Sequence, residues 1–242
     1  MNEIKVTCKT KACCGFFKAA REIRTDIDAI CSRDPAATGR LEVLMLYSGL
    51  HALLMYRVAH KLHGKNRHFS ARAVSQFAKF LTGIEIHPGA TIGKGLFIDH
   101  GSGVVIGETT VIGDNCTIYQ GVTLGGTGKQ TGKRHPTLGN NVMIGAGAKV
   151  LGPMYIGDNV KIAAGAVVLD ALPANSTAVG IPAKVVKVGG ERVANDLDQI
   201  HIPDPVNQEL TALRESLESL SKKVAKLEPK KKTSTAKKAT KQ

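Results

Sequence analysis

The sequence predicts a mainly β protein, a parallel β-helix with an α-helical region before it and a helix or coiled coil after it. Two observations support this prediction. An aliphatic residue recurs every six positions through the middle of the chain, and apolar residues at helical spacing occupy both flanks. We expect a helical N-terminal region at 1–83, a β-helix at 84–188, a linker and heptad helix at 189–228 and a disordered lysine-rich tail at 229–242.

The N-terminal region reads as helical. Asp34 and Pro35 look like an N-cap followed by proline at the first helical position. The segment 41–62 is rich in leucine, methionine and alanine. A shorter helix is predicted over 70–81, with Gly83 to end it. Its predicted apolar face consists of Val74, Phe77, Ala78 and Leu81.

The middle of the chain has a period of six, which fits neither a helix nor an array of hairpins. Glycine often follows the aliphatic residue, and Asp-Asn turns fill the gaps. A chain that turns a corner every sixth residue, with the aliphatic side chain inward, forms stacked coils whose strands pair in parallel. The aliphatic positions are Ile86, Ile92, Ile98, Ile106, Ile112, Ile118, Leu124, Leu138, Ile144, Val150, Ile156, Ile162 and Val168.

The repeat changes phase at two places. The first break, a spacing of eight, contains Asp99 and His100, and the second, a spacing of fourteen, contains Arg134 and His135. A solenoid has no structural need for ionisable residues at an irregularity, and loops on a rigid scaffold commonly carry function. The two breaks are therefore the first candidates for an active site.

The hexapeptide pattern resembles that of the left-handed β-helix acyltransferases. These residue types match the needs of the reaction that this resemblance implies, in which an alcohol attacks a thioester. A histidine is the usual base for the hydroxyl proton, and a carboxylate fixes the tautomer of that histidine. A substrate carboxylate requires an arginine, and a substrate ammonium requires an aspartate. The chain offers such a set in His100, Glu85, Arg134, Asp99 and Asp34.

Several motifs resemble the serine acetyltransferases, a family of left-handed β-helix acyltransferases. The motifs are IEIHPGATIGKGLFIDHGSGVVIGE, VTLGGTGK, KRHP, GAGAKVLG and VGIPAKVV, and they fall within 84–188. The resemblance implies a left-handed parallel β-helix as the catalytic domain. It also implies transfer of acetyl from acetyl-CoA to the hydroxyl of L-serine, giving O-acetyl-L-serine and CoA, as the first step of cysteine biosynthesis. The transfer would be direct, in a ternary complex.

The resemblance also assigns roles by motif position. His100 matches the general base and Glu85 its orienting carboxylate, although many relatives carry aspartate there. The residues that match the amino-acid site are Asp34, Asp99, Arg134 and His135. For Asp34, a helix cap is the alternative explanation.

Coenzyme A is expected in a groove between coils of adjacent subunits, again by resemblance. The chain has no P-loop and no G-x-G-x-x-G motif that would indicate another mode of nucleotide binding. The alternative role of the candidate contacts is that of ordinary turn residues in the repeat. The candidates are Gly126, Thr127, Ala146, Ala164 and Lys184.

The expected assembly is a homotrimer or a dimer of trimers, with sites shared between subunits and feedback inhibition by L-cysteine. Relatives that join a cysteine synthase complex usually present a C-terminal isoleucine, whereas this sequence ends in Gln242. That difference argues against such a complex. The spacing of apolar residues over 206–227 alternates between four and three, which predicts a short coiled coil, with an amphipathic helix packed on its own subunit as the alternative.

Composition limits the other partners. The net charge is +13, but the segment from Lys222 onward holds nine lysines and one acid, so the rest of the chain is only mildly basic and we expect no nucleic-acid function. We also expect no metal, because no cluster of matching ligands follows the early cysteines. Five cysteines, an odd number, favour a reducing cytoplasm over a disulfide framework. No apolar run is long enough to cross a membrane.

Three other functions remain open at this point. A protein with this fold could acetylate another acceptor, such as a sugar or homoserine. A carbonic anhydrase of the γ type would need three histidines that converge on zinc, and His100 and His135 lie in other motifs. A non-catalytic scaffold could keep the repeat without the ionisable residues at its breaks.

Overall fold

A computed structural model describes residues 11–128, 131–189 and 213–223. The chain divides into two units, one up to Pro203 and one from Asp204 onward. In the second unit, residues 213–223 are helical, and the leucines of the predicted heptad there are exposed: Leu213, Leu217 and Leu220. The predicted tail at 229–242 and the remainder of the heptad lie outside the described residues, so the coiled coil stays a prediction.

Four helices precede the β-helix. They are α1 (Lys11–Arg33), α2 (Arg40–Leu46), α3 (Ser48–His63) and α4 (His68–Thr82). The apolar segment 41–62 is therefore two helices, and the extended backbone of Tyr47 (φ −88°, ψ 106°) separates them. Gly83 ends α4 in the left-handed conformation (φ 72°) and donates its N–H to the carbonyl of Lys79. This confirms its predicted role as a C-terminal cap.

The predicted helix cap at Asp34 is wrong. Helix α1 ends immediately before this residue, and α2 begins only at Arg40. The residue before a proline is disfavoured in the helical region, so Asp34 stops one helix and does not start another. Its carboxylate Oδ1 accepts the N–H of Ala36 at 2.8 Å, closing a local turn.

The predicted apolar face of α4 is only partly correct. Ala78 is buried, but Phe77 and Leu81 are each 57% exposed, and the buried side chains are Ala71, Ser75 and Ala78. Small residues allow the helix to approach the first coil closely. The approach lets Ser75 Oγ donate to the carbonyl of Ile86 at 2.7 Å.

The β-helix contains short strands that form three sheets. In chain order they are β1 (Glu85–Ile86), β2 (Thr91–Ile92), β3 (Phe97–Ile98), β4 (Val105–Ile106), β5 (Val111–Ile112), β6 (Thr117–Ile118), β7 (Thr123–Gly125), β8 (Thr137–Leu138), β9 (Met143–Ile144), β10 (Lys149–Leu151), β11 (Tyr155–Ile156), β12 (Lys161–Ile162), β13 (Val167–Val168), β14 (Ser176–Val179) and β15 (Lys184–Val188).

Each coil contributes one strand to each sheet in turn. Sheet A has the order β1-β4-β7-β10-β13, sheet B the order β2-β5-β8-β11, and sheet C the order β3-β6-β9-β12-β14-β15. All pairs are parallel except the last, in which β15 runs antiparallel to β14. Three corners follow from this path, which we name A–B, B–C and C–A after the sheets that they join.

The six-residue period is confirmed by the core. Twelve of the thirteen aliphatic positions are at most 4% exposed, and Ile92 is half-buried. At the B–C corner, asparagines in the left-handed conformation stack on one another, with Asn141 Nδ2 donating to Asn159 Oδ1 and Asn159 Nδ2 donating to Asn175 Oδ1. Asparagine tolerates this conformation better than most residues, which explains the Asp-Asn turns of the repeat.

Helix α1 is anchored to the first two coils. The buried carboxylate of Asp26 accepts the N–H of Gly95 at 3.1 Å and forms an ion pair with Arg57. At the end of the helix, the Arg33 guanidinium donates to the carbonyls of Gly95 and Cys116. These contacts fix the point at which the chain leaves α1, so they also fix the position of the turn that follows it.

Among the described residues, no single helix is long and apolar enough to cross a membrane. Helices α2 and α3 would meet the length and composition criteria only when taken together, and the axis bends by 68° between them.

Candidate active site

His100 lies at the C–A corner with an unusual backbone conformation. Its φ is 56°, and every other non-glycine residue with positive φ in the described part of the chain is an asparagine. The left-handed region costs a side chain other than glycine or asparagine about 1–2 kcal/mol. Strain of this kind concentrates at functional sites. The imidazole projects into solvent, with 77% of the side chain exposed.

Asp99 lies beside His100, and Asp34 and Tyr47 lie close enough to interact electrostatically with Asp99. Asp99 Oδ1 is 3.9 Å from His100 Nε2, and burial raises the pKa of Asp99, with the imidazole opposing that rise and the Asp34 carboxylate adding to it. Tyr47 donates its hydroxyl to Asp34 Oδ2 at 2.7 Å. We call Asp34, Tyr47, Asp99 and His100 the acidic half-site.

A glycine allows helix α3 to reach this corner. A Cβ on Gly49 would lie 2.2 Å from the carbonyl oxygen of Ile98, which no real side chain tolerates. The close approach brings Ser48 Oγ within 3.5 Å of the His100 carbonyl. The helix break at Tyr47 is therefore held directly against the corner that carries the histidine.

Glu85, the predicted orienting carboxylate, has other partners in this structure. Its Oε2 accepts from Lys79 Nζ at 2.6 Å, and its Oε1 lies 3.9 Å from Arg72, both on α4. The hydrogen bond from Lys79 lowers the pKa of Glu85. Among the described contacts of Glu85, none is to His100, so its orienting role stays a prediction.

The second break of the repeat forms a compact polar cluster at the A–B corner. Arg134 pairs with Glu108 at 2.5 Å. Thr109 Oγ1 accepts the backbone N–H groups of Arg134 and His135, at 3.0 and 3.1 Å. We call Glu108, Thr109, Arg134 and His135 the arginine half-site.

The hydrogen bonds of His135 define its tautomer. Its Nδ1 accepts the backbone N–H of Thr109 at 3.2 Å, which leaves the ring proton on Nε2. Burial lowers the pKa of His135, and the neighbouring Arg134 cation lowers it further. The residue is therefore neutral near pH 7 and presents an N–H donor. The ring packs on Gly107, where any Cβ would collide with it.

The two half-sites lie on opposite sides of sheet A. The acidic half-site is at the C–A corner, where its strands begin, and the arginine half-site is at the A–B corner, where they end. His100 and Asp99 precede the sheet A strand β4, whereas Glu108 and Thr109 follow it. The structure therefore brings together Asp34, Asp99 and His100, and separately Arg134 and His135. It does not bring the two sets together within one chain.

The candidate coenzyme A residues are also divided between the two edges. The register of sheet C pairs Ile98, Ile118, Ile144 and Ile162, so the residues two positions later form a column at the C–A corner. The column consists of His100, Gln120, Ala146 and Ala164. Gly126 and Thr127 follow β7 at the other edge, where a Cβ on Gly126 would lie 3.1 Å from the Arg134 side chain, and Lys184 begins β15.

The outer side of the column faces open space. Parallel strands are about 4.8 Å apart, so Ala164 lies roughly 14 Å along the corner from His100. A Cβ on Gly147 or on Gly165 would meet nothing within 4 Å. Small side chains beside open space provide room for an extended ligand that starts at the histidine.

Sequence reasoning missed four residues of this region: Tyr47, Glu108, Thr109 and Gln120. Glu108 and Thr109 follow a hexad isoleucine like any other corner residues, and their role depends on a loop that returns to them from residue 134. Only the coil register could have indicated Gln120, and no sequence signal marks Tyr47. No group of three or more metal-ligating side chains occurs among the residues that the structure describes.

Family comparisons match both the β-helix and the helical N-terminal region. Residues 135–170 match the bacterial transferase hexapeptide family and residues 103–126 the hexapeptide repeat of succinyl-transferase. Residues 10–55 match the serine acetyltransferase N-terminal family. A serine acetyltransferase from Staphylococcus aureus strain Mu50 is 56% identical over 198 residues, which cover 82% of this chain and 93% of the relative.

Solved structures show the same similarity. A serine acetyltransferase in complex with cysteine has a TM-score of 0.75 and 40% identity, covering 79% of this chain and 75% of the other. The Neisseria gonorrhoeae enzyme in complex with serine has a TM-score of 0.68 and 42% identity, covering 71% and 70%. The Brucella abortus strain S19 enzyme in complex with coenzyme A has a TM-score of 0.71 and 42% identity, covering 73% and 70%.

The fold and the repeat define a hexapeptide acyltransferase built on a left-handed parallel β-helix, as the resemblance implied. Sequence identity of 56% to a serine acetyltransferase, over 82% of this chain, defines the family more narrowly than the fold does. The chain belongs to the serine acetyltransferase family. Its reaction moves acetyl from acetyl-CoA to the hydroxyl of L-serine, the first step of cysteine biosynthesis from serine.

Proposed function

We propose that the acetyl transfer takes place between subunits, at a site built from the acidic half-site of one copy and the arginine half-site of the next. The observation that supports this is the separation of His100 and Arg134 to opposite edges of sheet A. In a ring with rotational symmetry, the C–A corner of one copy can face the A–B corner of its neighbour. A three-sided coil suits a closed ring of three, consistent with the homotrimer or dimer of trimers that the resemblance implies.

In this site the amino acid is held by its two charged groups. The carboxylates of Asp34 and Asp99 bind the ammonium of L-serine. Arg134 of the adjacent copy binds its carboxylate, and the Nε2–H of His135 donates to the same group. The Neisseria enzyme solved with serine supports L-serine as the ligand. Glu108 keeps the arginine in place while the site is empty.

The hydroxyl of the bound serine is then directed at His100. The imidazole takes the hydroxyl proton as the oxygen attacks the thioester carbonyl carbon of acetyl-CoA. The tetrahedral intermediate collapses by breaking the carbon–sulfur bond, and the thiolate of CoA receives the proton from the imidazolium. O-acetyl-L-serine and CoA leave, and His100 is neutral again.

Coenzyme A runs along the column at the C–A corner, in a groove formed where two copies meet. Ala146 and Ala164 line that groove, and the neighbouring copy contributes Gly126 and Thr127 from its own A–B corner. Lys184 lies at the far end as a cation for an anionic cofactor. The Brucella enzyme solved with coenzyme A supports this ligand.

L-Cysteine occupies the serine position as a feedback inhibitor. It has the same ammonium and carboxylate as L-serine, so the same residues hold it, and a relative has been solved in complex with cysteine. Cys31 and Cys116 are free thiols, which suits a reducing cytoplasm.

Subunit complementation tests the shared site. His100→Ala and Arg134→Ala are each expected to lose most activity, measured as thiol release from acetyl-CoA with L-serine. Coexpressed in one cell, the two variants form mixed rings in which about a quarter of the sites regain both residues. Recovery of roughly that fraction of wild-type activity, suppressed by L-cysteine, supports the proposal. Mixed rings that remain inactive would place both residues in one chain's site.

A further inference from the structure

We propose that Tyr47 is a positioning residue that holds Asp34 in the orientation needed to bind the ammonium of L-serine. This inference rests on the proposed function, in which Asp34 contacts the substrate. It adds a residue from the break between two helices, which the sequence motifs of the site do not include.

The contacts of Asp34 show what Tyr47 contributes. Oδ1 accepts the backbone N–H of Ala36 at 2.8 Å, and Oδ2 accepts the Tyr47 hydroxyl at 2.7 Å. Each carboxylate oxygen thus has one neutral donor and keeps another lone pair for the substrate. Without the phenol, only the local turn would fix the carboxylate, and the side chain could rotate away from Asp99.

The hydroxyl is well suited to act as a permanent donor. Burial raises the pKa of Tyr47 above its usual range, and the hydrogen bond to Asp34 raises it further. The phenol therefore stays protonated at every pH at which the enzyme would work. Because it is neutral, it holds the Asp34 carboxylate without cancelling the negative charge that the ammonium needs.

The backbone shows how Tyr47 reaches this position. It is the extended residue between α2 and α3, and its N–H still bonds to the carbonyl of Val43 at 3.4 Å. One residue later the chain re-enters a helix whose close approach at Gly49 fixes it against the C–A corner. A continuous helix over this segment would direct the side chain elsewhere. The hydrogen bond from Tyr47 to Asp34 thus joins the break between α2 and α3 to the residue that follows the anchored end of α1.

The first test separates substrate affinity from turnover. Tyr47→Phe keeps the ring and removes the donor, and we expect KM for L-serine to rise roughly tenfold, the scale of one hydrogen bond to a charged group. The kcat and the KM for acetyl-CoA should stay close to wild type. Tyr56→Phe is the matched control, because its hydroxyl bonds the buried carbonyl of Ala90 away from the site. It should lower the melting temperature and leave KM for L-serine unchanged.

A double-mutant cycle shows whether Tyr47 acts through Asp34. Asp34→Ala should raise KM for L-serine, and adding Tyr47→Phe to it should raise KM no further. Independent effects that multiply would overturn the positioning role, as would an unchanged KM in Tyr47→Phe. If Asp34→Ala itself leaves KM unchanged, the ammonium site of the proposed function fails, and this inference fails with it. Comparable elution volumes on gel filtration for all variants exclude loss of assembly as the cause.

Discussion

Replacing Gly49 by alanine tests how closely helix α3 must approach the C–A corner that carries His100. The added Cβ would lie 2.2 Å from the carbonyl oxygen of Ile98 and 3.0 Å from its Cβ. Real contacts to a carbonyl oxygen are about 1 Å longer, so either the helix or the strand must move by about that distance. Overpacking of this kind destabilises a protein by about 1–3 kcal/mol.

The same displacement would reach the active site. Tyr47 and Ser48 precede Gly49 directly, and His100 follows Ile98 by two residues. A misplacement of about 1 Å can reduce a rate by about two orders of magnitude. We therefore expect Gly49→Ala to lower both the free energy of unfolding, measured by urea titration, and kcat for L-serine.

Gly64→Ala is the control for this substitution. Gly64 follows the same helix in an ordinary right-handed conformation, and a Cβ there would contact its nearest atom at 3.6 Å. Alanine should be neutral or stabilise by up to about 1 kcal/mol through the unfolded state. The reasoning is refuted if Gly49→Ala behaves like Gly64→Ala in both measurements.

Two further predictions concern the groove and the pH. Ala164→Leu places a large side chain in the column that begins at His100. KM for acetyl-CoA should therefore rise about tenfold or more, while KM for L-serine stays near wild type. An unchanged KM for acetyl-CoA would place the cofactor elsewhere. Burial lowers the pKa of both His87 and His135 below 6.5. Below about pH 6.5 these two histidines therefore bind more protons in the unfolded chain than in the folded one, and their contribution to stability falls as the pH falls. Urea midpoints at about pH 7.5 and about pH 5.5 should show that loss, and His135→Gln should reduce it; equal losses in both proteins would contradict the assignment to His135.

The solenoid could be predicted from the sequence because its signal is repeated. Each inward position is constrained separately, so thirteen aliphatic residues in phase leave little freedom. The helical region gives only propensities. The role of Asp34 before Pro35 was misread for this reason, since the same pair can begin a helix or follow the end of one, and only packing on the coils decides between them.

The candidate site was predictable as a set of residue types but not as an arrangement. The breaks of the repeat indicated His100 and Arg134, because ionisable groups at irregularities need an explanation. Their separation to opposite edges of sheet A follows from which corner each break occupies, and that depends on the path of the coils. The bonds of Glu85 to α4 depend on how the helix packs on the first coil, which no local pattern encodes.

The column at the C–A corner also has a fixed length. The coils stack at a fixed rise, so the distance from the base to the far end of the groove is a whole number of coils, about 4.8 Å for each one. Residues 145–162 form one such coil, because Ile144 and Ile162 are paired in register. Removing that segment would shorten the column by one coil and leave His100 in place. In the proposed site, the length of cofactor that fits along the column therefore depends on the number of repeats and not on His100.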